Sequence, residues 1–182
     1  MFIQTEETPN PATLKFLPGC SVTGGGPVDF PEPAGAARSP LARGLFAVEG
    51  VTGVFLGADF VTVTKSAGKT WDVMKPPVLG AIMEHFLSGL PVLEDSVADD
   101  HDGEEDDALV GQIKELLDER VRPVVARDGG DITFHGFKDG VVFLNMKGSC
   151  SGCPSSVATL RSGIENLLRH YIPEVKEVRA VR

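Results

Sequence analysis

Cys150 and Cys153 stand in the run Cys150-Ser151-Gly152-Cys153-Pro154, and a Cys-x-x-Cys pair admits three kinds of chemistry. It can ligate a metal through thiolates, cycle between dithiol and disulfide, or pack as two small buried side chains. The metal reading meets an arithmetic limit. A closed zinc site or a cubane iron–sulfur cluster takes four protein ligands, and this pair supplies two. The third cysteine, Cys20, lies far away near the amino end. His135 and His170 share the second half of the chain but lack close ligand spacing to the thiols, so both read as surface residues. The simplest source of the missing ligands is a second copy of the chain across a symmetric interface. Four thiolates suit zinc and a [4Fe–4S] cluster alike, and spacing does not choose between them. The redox reading lacks its usual strand-helix-strand lead-in, because a hairpin precedes the motif. The packing reading suffers from placement: a Gly/Ser loop is a poor source of core side chains.

The motif's surroundings set a second expectation. Pro154 suits the first turn of a helix, which makes Cys153 its N-cap. The positive end of a helix and its unpaired N–H groups favour thiolate over thiol. At such a position a cysteine pKa can fall from about 8.5 to below about 7.5. Gly148 and Gly152 let backbone approach a bulky ligand, and Ser149 and Ser151 offer hydrogen bonds to sulfur. Small neutral neighbours predict a shallow, open site.

The elements that must hold this loop are legible in the apolar spacing. Leu109, Ile113, Leu116, Leu117, Val121 and Val124 recur at helical intervals, with Pro123 kinking or restarting the helix. Asp128-Gly129-Gly130-Asp131 stops it. Residues 132–137 and 141–146 flank Lys138-Asp139-Gly140 and predict a hairpin. Val157, Leu160, Ile164, Leu167, Leu168 and Tyr171 give the helix after the motif, Pro173 ends it, and residues 175–181 have strand character. The order helix, strand, strand, helix, strand predicts an α+β unit with helices packed on a three-stranded sheet.

The first half reads as a second small unit. Residues 2–8 and 12–17 predict strands around Pro9-Asn10-Pro11, and residues 19–37, rich in Gly and Pro, predict a loop. Ser39-Pro40 caps a short helix, and residues 51–56 and 60–64 form a hairpin. Leu79, Ile82, Met83 and Phe86 mark a further helix. His85, at the edge of that stripe, and Trp71 read as packing or surface residues rather than ligands. Between the halves, residues 94–107 hold nine acidic side chains and no Lys or Arg. The formal charge is -9, so the rest of the chain is balanced. This predicts residues 1–93 and 108–182 as domains and residues 94–107 as an extended, flexible tether. No basic block suggests nucleic acid, and no apolar run is long enough to suggest a membrane span. The amino end lacks the character of a secretory signal or transit peptide, which sets cytoplasm as the expected compartment.

Two runs in the second unit, Asp128-Gly129-Gly130-Asp131-Ile132 and Gly148-Ser149-Cys150-Ser151-Gly152-Cys153-Pro154-Ser155-Ser156, together with Ile113-Lys114-Glu115-Leu116-Leu117 and Arg122-Pro123, resemble the carboxy-terminal domain of NifU. That is the Nfu family of iron–sulfur scaffold and carrier proteins. The first unit resembles the family's amino-terminal domain through Thr5-Glu6-Glu7-Thr8-Pro9-Asn10-Pro11, Ser39-Pro40-Leu41-Ala42 and residues 55–63. The resemblance implies a non-enzymatic carrier. It implies a [4Fe–4S] cluster bridging two chains through Cys150 and Cys153, a homodimer when loaded, an upstream cluster scaffold as donor, and apoprotein clients. Cys20 matches no family ligand. Because mitochondrial members carry a transit peptide, the resemblance also sets the expectation of a bacterial cytoplasmic member.

Overall fold

The computed structural model describes residues 1–24, 26–94, 108–151 and 154–181, with side chains at 154–156 not described. The predicted acidic tether, apart from Glu94, and Cys153 lie outside the described residues. The chain forms two compact α+β units.

In the first unit, β1 (Gln4–Glu7), β2 (Thr13–Leu17), β3 (Val28–Phe30), β4 (Val51–Leu56) and β5 (Val61–Lys65) make one antiparallel sheet in the order β1-β2-β5-β4-β3. β3, and a 3-10 turn at Pro33–Arg38, fall inside the region expected to be loop. Three residues are too few to show a period, but pairing with β4 recruits them. α1 (Pro40–Phe46) starts as its sequence predicts: Ser39 Oγ accepts from the Ala42 N–H at 3.1 Å. The same hydroxyl donates to the Val92 carbonyl at 2.6 Å, tying the helix start to the segment after α2. α2 (Trp71–Ser88) begins a full turn or more before its apolar stripe and tolerates Pro76 and Pro77 in its first two turns. It ends on Gly89, whose φ of 70° is the usual left-handed cap. Met74, Val78 and Ile82 bury against Phe16, Leu41, Leu45, Leu56, Val61 and Val63. Trp71 packs on this core, edge-on to Phe16, and its indole N–H donates to the Pro11 carbonyl. Glu94 is held in this unit, its N–H donating to the Arg38 carbonyl and its carboxylate pairing with Arg43.

His85 is a core residue, 7% exposed, stacked edge-on against Phe86, and its Nε2 has no hydrogen-bond partner. Burial lowers its pKa below the usual 6.5. The unfolded chain therefore binds a proton that the folded unit resists. Stability is full above pH 6.5 and is lost as pH falls from there toward the lower folded value. The melting point reported by Trp71, the single tryptophan and a first-unit residue, should fall between pH 7.5 and 5.5, both values lying about one unit from the ordinary titration point. His85→Gln should remove most of that pH dependence. An unchanged slope in the variant would assign it to other groups.

In the second unit, α3 (Ala108–Leu116) passes through a wide π turn at Leu117–Val121 into α4 (Arg122–Arg127). The π turn corrects the sequence reading. Ile113, Leu117, Val121 and Val125 are buried at intervals of four, whereas Val124 is 54% exposed. A four-residue repeat overruns the 3.6 residues of an α turn, and one wide turn absorbs the excess. β6 (Gly130–Lys138) and β7 (Val141–Gly148) form the expected hairpin, with a bulge between Phe134 and Gly136. α5 (Pro154–Tyr171) then leads to β8 (Glu177–Val181), which pairs parallel with β7, giving the order β6-β7-β8. Ile132, Val142, Leu144 and Val178 present one face of the sheet to Ile164, Leu168 and Ile172. Each such side chain contributes about 1.5–3 kcal/mol on burial. Tyr171, expected in the stripe, is 48% exposed, and the neighbouring Ile172 is the buried anchor. Among the described residues no helix is long and apolar enough to cross a membrane.

Candidate functional site

The thiol loop is built where the start of β6 meets the end of β7. α4 stops at Asp128, and Gly129 turns the chain with φ of 79°. Gly130 and Asp131 then begin β6 opposite Gly148 and Lys147. Gly148, with φ of 64°, turns the chain out of β7 into Ser149 and Cys150. The two turns clasp. Ser149 N–H donates to the Gly129 carbonyl at 3.2 Å, and Ser149 Oγ donates to the Asp128 carbonyl. Ser151 closes the turn on the Gly148 carbonyl through both its N–H, at 3.1 Å, and its hydroxyl, at 2.9 Å.

Cys150 lies in this clasp, and the structure departs here from the expected open thiolate. Its side chain is 6% exposed and belongs to the hydrophobic core of the unit. Its sulfur rests on Gly130: a Cβ built there would come within 2.5 Å of Sγ, 2.9 Å of the Lys147 carbonyl oxygen and 3.0 Å of the Cys150 nitrogen. Burial pushes the thiol up to about 12, helped by the charges of Asp128 and Asp131 and opposed by a hydrogen bond with Ser149. At neutral pH this arrangement holds a protonated, shielded sulfur. At Cys150 itself, desolvation and the two carboxylates act against the thiolate, and both come from tertiary packing. Cys153, the partner in the motif, lies outside the described residues.

Beside the clasp sits an ion pair whose role the sequence did not announce. Arg122 grips Asp131 through a two-point fork, Nε to Oδ1 at 2.9 Å and Nη2 to Oδ2 at 3.0 Å, and reaches Asp118 Oδ1 with Nη1 at 3.0 Å. The Asp131 side chain is 6% exposed. Chiefly its hydrogen bonds to Asp131 hold the Arg122 guanidinium more firmly protonated than usual. Both residues fall in runs that carry the family resemblance, but an Arg nine residues before an Asp has no period that announces their pairing.

The other candidates do not converge on the clasp. His135 and His170 are exposed, as expected, and Cys20 is an exposed thiol of the first unit. No group of three or more potential ligands forms among the described residues.

Fold and site define a class: a two-unit α+β protein whose second unit presents a thiol turn between a hairpin and a helix. Residues 3–89 match the family model described as scaffold protein Nfu/NifU N terminal, and residues 113–179 match the NifU-like domain. All of the chain aligns at 54% identity with the human NFU1 iron-sulfur cluster scaffold homolog, mitochondrial, covering 72% of that protein. It aligns equally completely, at 57% identity, with the Drosophila erecta protein of the same name, covering 65% of it. Among solved structures, a NifU-like protein from Saccharomyces cerevisiae superposes with a TM-score of 0.47 at 25% identity, over 52% of this chain and 86% of that one. The chain belongs to the Nfu/NifU family of iron–sulfur cluster scaffold proteins, a family of scaffolds rather than enzymes. It spans about two thirds of the length of the fly relatives.

The expectation of a bacterial cytoplasmic protein is overturned by these relatives, which are eukaryotic and named as mitochondrial. That expectation leaned on the residues at the start of the chain. A targeting leader is separable from the fold it delivers, so those residues carry no information about compartment.

Proposed function

We propose that this chain receives a [4Fe–4S] cluster as cargo, holds it between two copies, and passes it to apoprotein clients in the mitochondrial setting of its relatives. In this reading Cys150 and Cys153 of each copy supply the four thiolates. Residues 108–182 form the cluster unit, residues 1–93 meet donor or client proteins, and residues 94–107 tether the two. Family membership supports the cargo, and the two-thiol arithmetic supports the shared site.

Family membership is the observation that carries the reading, and the burial of Cys150 bears on how cargo would be released. A carrier must hold its cargo and also release it. Ligation requires the thiolate, so loading expels a proton and draws the sulfur from its seat on Gly130. Unloading reverses both: the sulfur regains its proton and its apolar contacts. The free protein is thereby stabilised relative to the loaded one, which weakens retention and favours transfer to client thiolates. A site whose thiolates stood ready in water would lack that bias.

Anaerobic reconstitution of the full chain tests this. It should yield visible charge-transfer absorption, about four irons per two chains, and a dimer that returns to its starting size once an apoprotein takes the iron. A colourless zinc dimer that transfers nothing, or a loaded single chain with full iron content, would overturn it.

A further inference from the structure

We infer that Arg122 and Asp131 are a positioning pair for the cluster site, fixing the wall against which Cys150 is seated. The inference rests on the ligand role proposed for Cys150. Its observations are geometric. Asp131 is the second residue of β6, directly after Gly130, and Gly130 is the surface that the Cys150 sulfur touches. Gly130 and Asp131 also form the last rungs of the β6–β7 ladder, opposite Gly148 and Lys147. End rungs are where a hairpin opens most easily. Beyond the Ser149 clasp, a glycine side chain adds nothing to hold such a rung closed, so any further hold comes from its neighbour.

Arg122 supplies it. The fork onto Asp131 uses two parallel N–H···O bonds, which fixes direction as well as distance. The third bond, to Asp118, anchors the guanidinium to the π turn that precedes it. That turn also sets the phase of the helix, so that Arg122 faces β6 while Val121 and Val125 face the core. The path runs from the π turn through Arg122 and Asp131 to Gly130, and from there to Cys150. A carboxylate this deeply covered costs stability unless it is paired, and a lysine cannot reproduce the fork. The placement therefore fits a requirement for geometry at the thiol rather than for fold stability alone.

The test uses the full-length chain and three readouts. Peptide-level mass spectrometry follows the rate at which iodoacetamide alkylates Cys150 in the metal-free protein. Iron analysis follows anaerobic loading, and calorimetry gives the melting point of the second unit. Arg122→Gln, which leaves the Asp131 charge in place, should expose Cys150 to alkylation several-fold faster, and Arg122→Gln and Asp131→Asn should each lower cluster affinity about 10–100-fold. Arg122→Lys should recover only part of both. The double variant should be no worse than either single one, because the pair acts as a unit. Alkylation at the wild-type rate in Arg122→Gln would overturn the inference. So would alkylation and loading that change only in step with the melting point. Cys150→Ala separates the two claims. If it loads like wild type, the ligand reading fails. If it stays empty while Asp131→Asn loads and is protected like wild type, the pair has no positioning role.

Discussion

Replacing either Cys150 or Cys153 with alanine should leave a folded protein that no longer acquires iron, and Cys20→Ala should load like the parent. The size of the effect follows from counting. A cubane shared by two chains takes four thiolates, and either substitution removes two at once, one from each copy. Two vacant iron corners are not made good by water in a site meant to protect its cargo. Loading should therefore collapse toward background rather than halve. The two variants should differ before any iron is added. Cys150 contributes a buried sulfur to the second core, so Cys150→Ala removes packed volume and should cost on the order of 1 kcal/mol in the metal-free chain. Iron content and calorimetry on the same preparations check both statements. A Cys150→Ala protein that keeps its visible absorption would show that the ligands lie elsewhere.

Elements with a long, clean period were legible: α5 from its apolar stripe, the β6–β7 hairpin from its Asp-Gly turn, α1 from Ser39-Pro40. Phase was harder. Val124 and Tyr171 sat at plausible helical intervals, yet Val125 and Ile172 are the buried residues. A single π turn moved the first register, and no local residue type encodes such a turn. β3 was invisible because only its pairing with β4 makes it a strand. At the site, the pattern of residues named the loop but not the state of its thiol. Helix-end electrostatics are local and readable. The Gly130 wall, the Asp128 and Asp131 charges and the core contacts of Cys150 come from tertiary packing, and they reverse the outcome.

That reversal makes Gly130 a sensitive backbone position at the site. Gly130→Ala should destabilise the second unit and impair loading, whereas Gly136→Ala should do neither. The two glycines lie in the same strand and neither has a positive φ, so conformational freedom is not what separates them. Space is. A methyl group at Gly136 meets nothing within 4 Å. At Gly130 it would meet the Cys150 sulfur at 2.5 Å and, behind it, the Lys147 carbonyl oxygen at 2.9 Å and the Cys150 nitrogen at 3.0 Å. The sulfur sits on a short side chain and can swing only by leaving its seat, while the two backbone atoms belong to the clasp itself. Overpacking of this kind costs about 1–3 kcal/mol. In a unit of this size each kcal/mol lowers the melting point by about 4–8 °C. Two results are thus tied together. Calorimetry should show a melting point several degrees lower for Gly130→Ala, and the metal-free variant should have a Cys150 that iodoacetamide reaches faster than in the parent. A larger residue such as valine should increase both effects in the same order. If Gly130→Ala melts like the parent and keeps Cys150 protected, the thiol is not held by this wall, and the bias toward release drawn from its burial loses its structural basis.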